Sequence, residues 1–147
     1  MEAVIFVGIQ ATGKSTFYHH RFGRTHLRIN LDMLKTRHRE QQFLSTCLDT
    51  RQRFVVDNTN PTPADRQRYI QPAQAQGFSI TGYYFESKLA DALIRNCDRN
   101  LDQQIPDKGI RGTAARLVLP SYEEGFDQLF YVHILPHQHF AVEDWQP

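Results

Sequence analysis

Gly8-Ile9-Gln10-Ala11-Thr12-Gly13-Lys14-Ser15 leaves this chain fewer choices than any other stretch of its sequence. It has the spacing G-x-x-x-x-G-K-[ST], set between an apolar, β-rich run over 4–7 and a helix-forming stretch over about 14–22. Glycines let a backbone turn tightly and aim its N–H groups inward, and the helix that follows adds partial positive charge. Such a loop cradles a polyphosphate. The expected contacts are Gly8, Ile9, Gln10, Ala11, Thr12, Gly13, Lys14, Ser15 and Thr16, with Lys14 reaching the β- and γ-phosphates and the Ser15 hydroxyl on Mg²⁺. The fixed positions match by chance in about one chain in two hundred of this length, and the strand–loop–helix setting makes a chance match rarer still.

The rest of the chain alternates strands with helices. Strands are expected over 27–30, 54–57, 78–85 and 130–135. Phe43, Leu44, Cys47 and Leu48 form a helical stripe. Thr62 is a good N-cap, with Pro63 at the first helical position and Asp65 three residues after the cap. That helix carries Tyr69, Ile70 and Ala73, with a bend expected at Pro72 and a stop at Gly77. A further helix is expected over 87–100. Residues 101–113, with Pro106, Gly109 and Gly112, read as a mobile connection before a short helix over 114–119, and the tail after 135 shows no strong pattern. This order predicts βαβ units in one three-layer α/β domain over 1–147. In such sheets the ligand sits at the carboxyl ends of the strands, where Gly8, Asp32, Asp57 and Asn58 fall.

Composition narrows the class of partner. The chain has 147 residues and a formal net charge of only +1, so a polyanion site has to come from local clustering. Cys47 and Cys97 match no metal spacing or redox pair. The seven histidines sit mostly in polar stretches and read as surface residues. The opening residues lack a basic n-region, and their apolar run is too short for a signal or membrane helix. No membrane association and a cytoplasmic location are therefore expected.

Several residues outside the loop carry chemistry. Asp32, soon after the strand over 27–30, could take the proton from an attacking hydroxyl, an effect worth about 10²–10⁴-fold; it could equally cap the helix that follows. Lys35, Arg37, His38 and Arg39 make a basic cluster suited to an anionic acceptor or to a solvated helix face. Asp57 closes a hydrophobic strand, as does the acidic residue that supports the metal in phosphate-loop enzymes. Its neighbours Asn58 and Thr59 are acceptor-side candidates, and Asx and Thr residues also build ordinary turns. Arg95 and Arg99 are four apart, on one helix face. They precede the 101–113 segment in the manner of an arginine-bearing lid over about 95–113. The bland alternative is a surface pair between Asp91 and Arg95.

Taken together, these pieces resemble the 5′-hydroxyl polynucleotide kinase family, especially the kinase domain of the polynucleotide kinase/phosphatase repair enzymes. The matching pieces are Gly8 to Thr16, Asn30-x-Asp32, Asp57-Asn58-Thr59-Asn60-Pro61, Arg66-x-Arg68-Tyr69, Arg95-x-x-x-Arg99, Ile105-Pro106 and Pro120-x-x-x-Glu124-Gly125-Phe126, in the family's order over roughly 3–135. The resemblance implies a three-layer α/β/α P-loop NTPase fold with a mostly parallel sheet and a small helical lid. It implies ATP- and Mg²⁺-dependent phosphorylation of a nucleic-acid 5′-OH. Lys14 would then stabilise the phosphates, Ser15 and Asp57 the metal, Asp32 would act as general base, and Arg95 and Arg99 would close as lid arginines. Lys35 falls where some members hold the acceptor's phosphate. One departure is Leu31, where many members carry Arg. A kinase of a small alcohol (a nucleoside or sugar) and a non-catalytic nucleotide-binding module are the other readings. The first calls for a closed pocket in place of a basic channel; the second needs neither Asp32 nor the two arginines.

Overall fold

The computed structural model describes residues 1–146. Strands β1 (Glu2–Val7), β2 (Leu27–Ile29), β3 (Phe54–Val56), β4 (Ser79–Phe85), β5 (Gln128–Leu135) and β6 (His139–Asp144) form one sheet in the order β2-β3-β1-β4-β5-β6. The first five pair in parallel, and β6 runs antiparallel to β5. Helices are α1 (Lys14–Arg21), α2 (Leu31–Leu34), α3 (Arg37–Thr50), α4 (Pro63–Ala75), α5 (Leu89–Cys97) and α6 (Asp107–Arg116).

Side-chain alternation along β1 divides the core into two layers. Ala3, Ile5 and Val7 face α3 and α4, packing with Leu44, Cys47, Leu48, Tyr69, Ile70 and Ala73. Val4 and Phe6 face α1, packing with Phe17, Tyr18 and Phe22. Every β1 residue from Ala3 to Val7 is fully buried, as a central parallel strand requires. The molecule therefore has a three-layer α/β/α P-loop fold. A third apolar cluster joins Ile9 and Ala11 of the phosphate loop to Ala92 of α5 and Ile110 of α6.

The helix at Thr62 starts as its sequence indicates. Asp65 N donates to Thr62 Oγ1 at 3.2 Å and Thr62 N donates back to Asp65 Oδ2 at 3.2 Å. It runs through Pro72 to Ala75 without interruption.

Three expectations are corrected. Residues 107–116 are helical, not a mobile connection, and no separate helix covers 114–119. Ile110 and Thr113 lie buried on one face of α6, and that packing outweighs the poor helix propensity of Gly109 and Gly112. The tail forms β6, whose Phe140 and Val142 pack towards α1. Its turn has His137 and Gln138 at φ 63° and 60°, so no glycine marks the reversal in the sequence. Finally, α5 ends at Cys97, which leaves Arg99 beyond it and off the helix face that carries Arg95. Among the cysteines Cys47 is buried and Cys97 exposed, both free, and among the histidines His26 is largely buried against Glu2 at 2.9 Å.

Candidate functional site

A cleft of about 360 Å³ opens at the carboxyl ends of β1, β2 and β3, lined by the loop Gln10 to Thr16 on one wall. On the other wall stand Asn30, Leu31, Asp32, Arg37 and Asp57 to Pro61, with Arg99, Ile105 and Arg116 at the side. The loop is held from below by the core. Gly8 N donates to Thr59 O at 3.0 Å and Ile9 N to Ser87 Oγ at 3.0 Å. Those two N–H groups are spent inside the protein, so the loop donors that line the cleft begin at Gln10. Gly8 serves close approach, since a Cβ there would stand 3.0 Å from Phe85 Cβ. Gly13, at φ 90°, starts α1 in a conformation that disfavours any side chain, and a Cβ would meet Phe140 at 2.8 Å.

Lys14 is buried beneath the loop, its Nζ donating to Ile9 O at 2.7 Å. Burial pushes its pKa down to about 8; the Asp57 and Asp32 carboxylates oppose that shift and the Arg99 guanidinium adds to it. Lys14, Asp32, Asp57 and Arg99 thus share one electrostatic environment. Ser15 Oγ donates to Asp57 Oδ2 at 2.9 Å. Both are hard oxygen donors suited to Mg²⁺, which is commonly held by one or two protein oxygens plus substrate phosphates. Arg28, not singled out in the sequence, reaches the same pair: Nε to Asp57 Oδ2 at 2.8 Å and Nη2 to Ser15 Oγ at 2.8 Å.

The cap question at Asp32 has a clear answer. Asn30 is the N-cap of α2, its Oδ1 accepting from Met33 N at 3.0 Å while its Nδ2 donates to Asp57 O at 2.6 Å. Asp32 lies in the first turn, exposed on the cleft. Asn58 is committed internally: Oδ1 accepts from Leu31 N at 2.9 Å, and Nδ2 donates to Glu40 Oε2 at 3.0 Å and Tyr69 OH at 3.2 Å. It positions the turn that carries Asp32. Buried Glu40 also accepts from Tyr69 OH at 3.0 Å and from Arg37 Nη1 at 2.9 Å. Burial, reinforced by the Glu40 carboxylate, pushes the Tyr69 pKa up to about 12, so it stays a donor. Glu40 thereby anchors Arg37 on the cleft. Lys35 is the exposed C-cap of α2 at φ 74°, outside the lining. Thr59 lines the cleft, while Asn60 Nδ2 supports β1 through Phe6 O at 2.8 Å.

Two sequence pieces meet here. Arg66, fully buried, makes a bidentate pair with Glu124 (Nε 2.6 Å, Nη2 3.0 Å), and its Nη1 donates to Asn60 O and Val118 O, each at 3.0 Å. One guanidinium thus ties the loop after β3 to the segment after α6.

Beside the phosphate loop, Arg95 Nη1 donates to Ala11 O at 2.7 Å, and no ion pair joins Arg95 to Asp91 among the described residues. Arg99 reaches the cleft from the loop after α5. Asn96 closes that loop by bonding both ways to Ile105: Nδ2 to O at 2.6 Å, and Ile105 N to Oδ1 at 3.0 Å. Gln10 Nε2 donates to Thr113 Oγ1 at 3.1 Å, linking loop to α6. Arg28 and Asn96 carried no motif, and no local sequence signal marks them. Arg116 could have been suspected only as a cation in the last turn of a helix that its glycines obscured.

No protein-family model matches the chain. It is 30% identical over 129 residues to the bifunctional polynucleotide phosphatase/kinase of Schizosaccharomyces pombe, an alignment covering 85% of this chain and 32% of that protein. The chain thus spans about a third of that relative's length. Among solved structures, a gluconokinase from Sinorhizobium meliloti 1021 superposes with TM-score 0.60 at 14% identity, covering 89% of this chain and 81% of the other. Kti12 of Chaetomium thermophilum, in complex with ADP-AlF3, superposes with TM-score 0.62 at 13% identity over 89% and 88%. These likenesses show the fold.

Proposed function

We propose that this chain is a kinase that binds ATP with Mg²⁺ at the loop and passes the γ-phosphoryl group to the 5′-hydroxyl of a nucleic acid. The observation that carries the reading is Asp32, an exposed carboxylate lining the same cleft as the phosphate loop, on a turn fixed by Asn30 and Asn58 and close enough to Lys14 to act on its charge. A pure nucleotide holder has no use for it.

In this reading the loop N–H groups from Gln10 onward and Lys14 hold the polyphosphate. Ser15 and Asp57 would hold Mg²⁺, which would supply positive charge against the phosphates. Asp32 accepts the hydroxyl proton as the acceptor oxygen bonds to the γ-phosphorus. The bond from that phosphorus to the β–γ bridging oxygen breaks, and ADP leaves. Arg99 offsets charge spreading over the transferring group, while Arg95 holds the loop through Ala11 O and acts from behind it. We assign residues around 95–113 as the lid. The acceptor is read from the wall around Asp32. Arg37, Arg99 and Arg116 set cations among the Asp32, Asp57 and Asp65 carboxylates of the cleft, with Arg37 held by Glu40. An anionic chain can use those cations where a neutral sugar cannot, and the S. pombe relative's name supports the same acceptor.

Incubation with γ-labelled ATP and a 5′-OH oligonucleotide is expected to label the strand. Asp32→Asn should lower transfer by about 10²-fold or more while nucleotide affinity stays within about twofold. An unchanged rate in Asp32→Asn removes that residue from the role of base. Label appearing only on nucleosides or sugars replaces nucleic acid by a small alcohol.

A further inference from the structure

Ser15 Oγ and Asp57 Oδ2 are crowded atoms. The serine oxygen donates its proton to the carboxylate and accepts from Arg28 Nη2, while the carboxylate oxygen takes two donors, Ser15 and Arg28 Nε. The three contacts, 2.9, 2.8 and 2.8 Å, close a triangle of hydroxyl, carboxylate and guanidinium. Asp57 is 2% exposed, so this is a partly desolvated ion pair and not a surface contact.

Ser15 Oγ keeps a second lone pair for a divalent ion, but an ion held there would stand beside the Arg28 guanidinium, already 2.8 Å from the same oxygen. It would also bring two positive charges against a third. The two cations repel across one shared hydroxyl and carboxylate. The fold gives the guanidinium somewhere to go. Arg28 is on β2, the edge strand of the sheet, its side chain one-fifth exposed, and its Cζ already lies 5.9 Å from the Tyr18 ring centroid. A modest rotation leaves it against that ring face with its charge in solvent.

We propose that Arg28 is a built-in counter-cation of the metal site: it holds the Ser15–Asp57 pair together and opposes the divalent ion by its charge, so metal entry drives the guanidinium aside. The inference rests on the nucleotide-and-metal reading of the cleft. It makes Mg²⁺ demand a property set by a residue that touches neither nucleotide nor acceptor.

The test is binding, not turnover. Calorimetric titration of a non-hydrolysable ATP analogue at stepped Mg²⁺ concentrations is compared between the native chain, Arg28→Met and Arg28→Lys. Arg28→Met should lower the Mg²⁺ concentration giving half-maximal tight binding by about tenfold, the worth of a displaced charge-assisted pair. Arg28→Lys, a cation that cannot fork across both oxygens, should fall between. In the native chain the Arg28 Nε–H resonance should stay put when analogue is added in EDTA and move on adding Mg²⁺, which needs no variant. An unchanged or higher Mg²⁺ requirement in Arg28→Met, or a resonance indifferent to Mg²⁺ under tight binding, overturns the inference and leaves the kinase reading standing. No analogue binding by the native chain at saturating Mg²⁺ overturns both.

Discussion

The two walls of the cleft are built in different ways. The phosphate wall is one contiguous stretch, Gly8 to Thr16, shaped by its own backbone: Gly13 in the left-handed region, Thr12 Oγ1 on Ile9 O at 2.9 Å and Lys14 on the same carbonyl. The opposite wall is assembled from side chains far apart in sequence. Glu40, Tyr69, Asn58 and Arg37 form one network, and Arg66 with Glu124 another. The first wall depends on local backbone geometry and the second on buried charge pairing. Damage to them should therefore show up in different measurements: binding for the first, stability for the second.

The largest effect tests that division directly. Glu124→Ala leaves Arg66 as a fully buried guanidinium without its carboxylate. It should cost about 3–5 kcal/mol of stability, read as a lower midpoint in urea unfolding. Lys14→Met is expected to leave that midpoint within about 1 kcal/mol, since it removes a charge already penalised by burial, and to lose nucleotide binding. Equal loss of stability in both variants breaks the comparison. Tyr69→Phe comes next: it strips Glu40 of one of its donors and should destabilise by about 1–3 kcal/mol, with nucleotide affinity untouched and transfer slowed through the Asn58–Leu31 link.

The pH dependence belongs to the phosphate wall. Lys14 titrates at about 8 in the free protein. A polyphosphate favours its charged form, so affinity is full below that pH. Above it the ligand must first restore the proton, and affinity falls by up to about tenfold per pH unit, or 1.4 kcal/mol. Flat affinity from pH 7 to 9.5 would show that Lys14 does not meet the phosphates. The smallest effect is expected at Thr113→Val, which removes the hydrogen bond from Gln10 together with the hydroxyl's own bond to Gly109 O, for about 0.5–1.5 kcal/mol, and should loosen α6 without changing metal-dependent nucleotide affinity.

Legibility in the sequence follows the same division. The phosphate loop could be read outright because its determinants are adjacent and backbone-encoded. The Thr62–Asp65 capping box was equally local. Arg66, Tyr69 and Glu124 stood out as motif pieces, but why they matter was hidden. Arg66 and Glu124 lie 58 residues apart, and no periodicity brings them together. The basic run from Lys35 to Arg39 showed that cations gather after Asp32, not which one turns inward. Lys35 caps α2 and stays outside the lining, whereas Arg37 is drawn to buried Glu40. At α6 and β6 weak local preference misled, because glycines and a turn without glycine conceal elements that packing stabilises.

The amino-acid order alone determined the anion cradle and the alternation of strands and helices from β1 to α5, and hence the parallel part of the sheet, since each depends on neighbours within a few positions. Tertiary structure decided which charges face one another: Arg28 on the Ser15–Asp57 pair, Arg37 and Arg116 at the cleft, Arg95 on the loop carbonyl. A side chain's direction and its partner depend on elements brought together from across the chain, and that meeting occurs only when the sheet closes its core.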